Sequence, residues 1–121
     1  MKAFSYALLR AVPRIERGEC VNVGVILYCQ ADAFLAARVH VDVDRLLALD
    51  ASADVTAVRD AANAIAATCT DDGLAGGASL GERFRWLTSP RSTIVQPGPT
   101  HAGLTDDPAA DLDRIFADLV R

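Results

Sequence analysis

The sequence holds only two histidines, His40 and His101, and three cysteines, Cys20, Cys29 and Cys69, that lack any C-x-x-C spacing. A structural zinc site needs four such ligands, so it would have to draw cysteines out of the apolar stretches they occupy; no metal and no cofactor is expected. An odd number of unpaired cysteines also fits no disulfide framework, and all three read as buried thiols of a reducing cytosol. Basic charge is short as well: 12 Lys and Arg stand against 16 Asp and Glu, a net charge of -4 with a pI near 5.0. That balance argues against a generic binder of nucleic acid or membrane surface. No apolar run approaches the roughly 18 to 20 residues of a spanning helix. The glycine-rich stretch DDGLAGGASLGE lacks the Lys-Ser/Thr ending of a phosphate-binding loop and reads as a loop, and Ser89 and Ser92 sit in no G-x-S-x-G elbow.

What is present is an ordinary globular composition, 51% hydrophobic and 23% charged over 121 residues, enough for one core. A single domain over 1–121 is expected. The apolar run near the start is cut by Arg10 and Pro13 and has no small-residue cleavage pattern, so a cytoplasmic location is expected. Nothing in the composition fixes an oligomeric state.

Periodicity predicts the elements. AFSYALLRAV and VNVGVILYC, separated by PRIERGE, predict a hairpin. FLAARVHV predicts a third strand with Leu35, Ala37, Val39 and Val41 on one face and Phe34, Ala36, Arg38 and His40 on the other. Asp residues in VDVDRLLALD suit the cap of a short helix. Asp54 suits the cap of a second, along which Val55, Val58, Ala62, Ile65 and Cys69 recur at helical spacing. RFRWLT alternates like a strand, with Phe84 and Trp86 on one face, and STIVQ predicts a short strand after Pro90. Asp107, Pro108 and the stripe Leu112, Ile115, Phe116, Leu119 and Val120 predict a closing helix. The sum is an α+β domain: an antiparallel sheet of four or five strands with helices mainly on one face.

One segment is too rich in specific donors for a plain linker. SPRSTIVQPGPTHAGLTDDP, residues 89–108, interleaves Arg91, Gln96 and His101 with prolines that fix φ and glycines that free it. With Arg85 and the strand amide of Asn22, these residues form a candidate binding surface for a carboxylate, a phosphate or a partner peptide. The competing reading is a brace, in which the same groups satisfy neighbouring backbone. A further set, Arg10, Arg14, Arg17, Arg83, Arg85 and Arg91, is placed to meet Glu16 and Glu19 if the two strand regions adjoin. Asp106 and Asp107 read as helix caps rather than cation ligands, His101 as a loop anchor or an acid or base near neutral pH, and His40 as a half-buried strand residue. The alternative function is an enzyme acting on a phosphorylated or nucleic-acid substrate, with Arg91 on the anionic charge, Gln96 orienting and His101 as acid or base.

The stretches ERGECVNVGVILY and GERFRWLTSPRSTIVQPGPTHAGLTDDP resemble a bacterial family known as domain of unknown function 3037. The resemblance runs from the Tyr6–Pro13 strand to the terminal helix and is weak from about residue 32 to 79. It implies a small interaction or regulatory protein, accessory to a HipA-like kinase as a protein partner.

Overall fold

A computed structural model describes residues 1–70 and 79–121; the loop expected at DDGLAGGASLGE lies mostly outside them. In chain order the elements are β1 (Lys2–Ala11), β2 (Val21–Cys29), β3 (Phe34–Val39), α1 (Val43–Leu49), α2 (Val55–Thr70), α3 (Leu80–Leu87), β4 (Val95–Pro97), β5 (His101–Thr105) and α4 (Pro108–Leu119). The sheet is antiparallel in the order β3-β2-β1-β4, and β5 continues the β4 edge of β1. β1 is thus flanked by one long strand on one side and two short strands laid end to end on the other. The fold is α+β.

The predicted hairpin forms, and its turn closes through Gly18 at φ +72, whose amide donates to the Arg14 carbonyl at 3.2 Å. Alternation buries Ala7, Leu9 and Ala11 toward α1, α2 and α3, whose Leu46, Val58, Ala62, Ile65, Phe84 and Leu87 complete that core. On the other side Phe4, Val25, Leu27 and Cys29 meet Leu112 and Ile115 of α4. β2 faces both cores by alternation, and a bulge shifts its parity. Leu9 pairs with Gly24 and Arg10 with Asn22, leaving Val23 as the additional residue and switching the inward parity from Val21 and Val23 to Ile26. Gly24 is required there: a Cβ would stand 2.9 Å from the Arg38 carbonyl oxygen and 2.9 Å from Val39 Cγ1.

The caps are the expected ones. Asp42, Asp54 and Asp107 accept from the amides of Arg45, Ala57 and Ala110 at 3.0, 3.0 and 3.3 Å, and Pro108 opens α4. Over Phe34–Val39 β3 presents the predicted faces, with Leu35 in the helix-covered core and Arg38 bonded to Asp113 of α4 at 2.8 Å, whereas His40, expected as a half-buried strand residue, lies past its end and is exposed.

Five expectations are corrected. RFRWLT is helix, because Ser79 Oγ caps the Glu82 amide at 3.2 Å and the operative repeat is Leu80, Phe84, Leu87. The alternation of Phe84 with Trp86 is accidental: Phe84 is 5% exposed and stacks on Tyr28 at 5.6 Å, whereas Trp86 is 62% exposed. STIVQ yields strand only at Val95–Pro97, although the Val12 amide donates to the Ile94 carbonyl at 2.7 Å just before it. Within the expected loop 89–108, HAGLT is strand β5, because β1 is longer than β4 and its remaining edge takes a second partner. Cys20 is exposed at the mouth of the hairpin; Cys29 and Cys69 are the buried thiols. Leu119, placed on the apolar stripe of α4, is 44% exposed.

Candidate binding surface

α4 lies over β2 and β3, and the side chains of β1, β4 and β5 that project to the same side are left partly open. Along β1 these are Tyr6, Leu8 and Arg10, alternating with the buried Ala7, Leu9 and Ala11. Arg10 is the pivot. It pairs across one edge with Asn22 and across the other with Gln96, so two of the predicted residues flank it in a row across the sheet. Cross-strand partners stand about 5 Å apart at Cβ.

The row is not uniform in role. Asn22 Nδ2 donates to the Leu119 carbonyl at 3.0 Å, and Arg45 Nη1 donates to the Val120 carbonyl at 3.2 Å. Together they satisfy carbonyls at the C-terminal end of α4, which the helix itself leaves unpaired. Asn22 is therefore a brace. Gln96 and Arg10 are half-buried. Gly98, whose amide donates to the Leu8 carbonyl at 2.7 Å, lets the Arg10 side chain pass: a Cβ there would stand 2.9 Å from Arg10 Cζ.

His101 pairs with Tyr6, and the two rings lie 5.3 Å apart in a tilted contact. Next along, Gly103 pairs with Phe4 and gives it room, since a Cβ would stand 2.7 Å from the Phe4 ring. Arg91 is held elsewhere. Its Nη2 donates to the Trp86 carbonyl at 2.6 Å, and its guanidinium sits 5.5 Å from the centre of the exposed Trp86 ring, a cation–π geometry. Arg85, exposed on α3, precedes that tryptophan. The structure brings Asn22 and Gln96 together around Arg10, places Arg91 on Trp86, leaves Arg85 exposed on α3 near Gly81, and sets His101 on Tyr6.

The predicted arginine network forms only at the hairpin, where Arg14 pairs with Glu16 and Arg17 with Glu19, which holds both carboxyls below the usual carboxylate range. For Glu16 the backbone amide is the first cause and Arg14 the second. Arg83 instead lies buried and donates to the Cys69 carbonyl of α2 at 2.9 Å. At the other end of the sheet Thr105, 1% exposed, holds the Asp111 carboxyl low by hydrogen bonding, with Arg114 adding to it. Among the described residues no group of three or more His, Cys, Asp or Glu side chains is arranged to hold a metal ion. None of the described helices is long and apolar enough to cross a membrane.

The sequence model of the family described as Protein of unknown function (DUF3037) matches residues 6–120. The chain belongs to that family. Within this DUF3037 chain, the match spans every residue of the row from Tyr6 through Arg10 to His101. No curated protein and no solved structure matches the sequence.

Sequence reasoning missed Arg10, Tyr6 and Trp86 as parts of the surface. Arg10 and Tyr6 share a strand face with Leu8, which alternation shows. Their importance depends on which strands pair with β1, and no local pattern carries that.

Proposed function

We propose that this DUF3037 chain is a single-domain cytoplasmic interaction module that presents the open half of its α4-side sheet face to a protein partner. The observation that carries this reading is the spread of the polar groups. His101 and Gln96 pair with Tyr6 and Arg10, four residues apart on one strand and so separated by about 13 Å. A reacting centre needs its acid, base and anion-stabilising groups within about 3 Å of one substrate atom. An enzyme built on Arg91, Gln96 and His101 lacks that convergence, because Arg91 is tied to the end of α3. Groups spaced along a strand instead suit an extended partner. The exposed Trp86 beside Arg91 adds an anchor of the kind enriched at interfaces.

The partner implied by the family resemblance is a HipA-like kinase. The test is co-expression with that kinase, followed by size-exclusion chromatography. The two should comigrate, and the double substitution Gln96→Ala, His101→Ala should separate them while leaving the melting temperature in place. Separate elution of the native proteins would overturn the kinase assignment.

A further inference from the structure

We propose that Arg10 is a carboxylate-binding residue, and that the cleft it lines receives an acidic side chain from an extended segment of a protein partner. This rests on the interaction reading above and names the chemistry of what binds.

The cleft, about 410 Å³, lies at the sheet edge between Thr88 and Pro90, which follow α3, and the Pro97–Thr100 link that joins β4 to β5. Among the described residues Arg10 is the one charged group lining it, and no carboxylate does. Arg10 is half-buried, yet its guanidinium forms no hydrogen bond or ion pair among the described residues. Arg14, Arg17, Arg38, Arg45 and Arg114 each have an acidic partner within 4.0 Å, Arg59, Arg85 and Arg121 are exposed to water, and half-buried Arg91 donates to the Trp86 and Ser89 carbonyls. In a chain of net charge -4, a half-buried arginine with neither a carboxylate nor a carbonyl partner is a place for a ligand to supply the counter-charge.

The surroundings choose the anion. A guanidinium presents a planar fork that matches a carboxylate in bidentate fashion. Thr88 and Thr100 line the same cleft and bring hydroxyls to it, while Gln96, the cross-strand partner of Arg10, lies beside it. Among the described residues no second cation lines the cleft, so a single negative charge is the better match to Arg10. Beyond Pro90 the surface continues to Arg91 and Trp86, where the residues flanking the acidic one would find positive charge and an aromatic face. Gly98 keeps the pocket shaped around Arg10, as its close approach to the guanidinium shows.

The test follows the arginine side-chain Nε–H signals of the native protein during titration with a hexapeptide of alternating Glu and Ala, at constant ionic strength. The Arg10 signal should shift and saturate while that of exposed Arg59 on α2 stays near its starting position. Arg10→Gln should weaken the peptide by about tenfold or more, and Arg10→Lys by less, because lysine keeps the charge and loses the fork. Circular dichroism confirms that the variants fold, and the titration of the native chain stands if they do not. Equal shifts at Arg10 and Arg59 would reduce the effect to general screening and overturn the site. A response to inorganic phosphate without one to the peptide would overturn the acidic-segment assignment, and silence toward both would overturn the site altogether. The titration uses no kinase, so its failure is separable from failure of the comigration experiment. Conversely, comigration that survives Arg10→Gln would leave the module standing and remove this site.

Discussion

The two faces of the sheet are made by the same strands and yet differ in kind. On one, α1, α2 and α3 enclose a continuous apolar core from Ala7 to Val95. On the other, α4 covers β2 and β3, and the row Asn22, Arg10, Gln96 with the Tyr6–His101 contact lies beside it. Residues one apart along β1, such as Leu8 and Leu9, therefore belong to different worlds. The closed face sets stability, and the half-open face is free to carry recognition.

Five measurements sharpen that contrast. Leu9→Ala should cost about 2 to 5 kcal/mol in denaturant unfolding, whereas Leu8→Ala, at a half-buried position on the open face, should cost roughly half as much or less. Equal losses would erase the distinction between the faces. Gly24→Ala should lower stability by about 1 to 3 kcal/mol, since its methyl would press on the Arg38 carbonyl, which is backbone and cannot swing aside. Its effect is read from the same unfolding curves.

The closed face also shields a thiol. Burial pushes Cys69 up from its ordinary value of 9.0 to about 11, with Arg83 pulling weakly the other way. A thiol with a raised folded value is neutral in both states below pH 9, so its contribution is intact there. As pH rises the unfolded chain ionises first, and stability falls by on the order of 2 kcal/mol by the time pH passes the folded value. Cys69→Ala should flatten that part of the pH–stability curve; an unchanged slope would place the titration elsewhere.

At the boundary between the faces, Asn22→Ala removes the donor to the Leu119 carbonyl and should cost about 1 kcal/mol, with faster hydrogen exchange in the last turn of α4. The smallest effects belong to the open face itself. Gln96→Ala and His101→Ala should each change stability by less than about 0.5 kcal/mol in thermal denaturation, while reducing partner recovery. A loss several times larger would make those residues braces, as Asn22 is.

Much of the closed face was legible in the sequence. Alternation in β1 and β3 and the helical repeat of Val58, Ala62, Ile65 and Cys69 each point inward without knowledge of their neighbours. The caps at Asp42, Asp54 and Asp107 were legible for the same reason, since a cap is a contact across three residues. What failed is what depends on distant partners. Arg-Phe-Arg-Trp alternates like a strand, but Ser79 supplies a helix start and Tyr28, some fifty residues earlier, supplies the ring on which Phe84 packs. His-Ala-Gly-Leu-Thr is short and glycine-bearing and becomes strand only because Lys2–Tyr6 leaves an edge unfilled. The binding surface was half legible. Gln96, His101 and Asn22 stood out as polar groups in apolar or shaped segments, whereas Arg10 was merged with the hairpin arginines until the register set Asn22 and Gln96 on either side of it.

The end-to-end placement of β4 and β5 on one edge of β1 has a consequence for the order of synthesis. A ribosome releases β1, β2 and β3 long before residues 95–105, and a three-stranded meander then carries one long edge of unpaired amides and carbonyls, including those of Leu8 to Ala11. Such an edge is a template for pairing with another chain. For the time it takes to translate α1, α2 and α3, the nascent protein is guarded against its own copies only by what its side chains place there, with Lys2 at one end of the strand and Arg10 near the other.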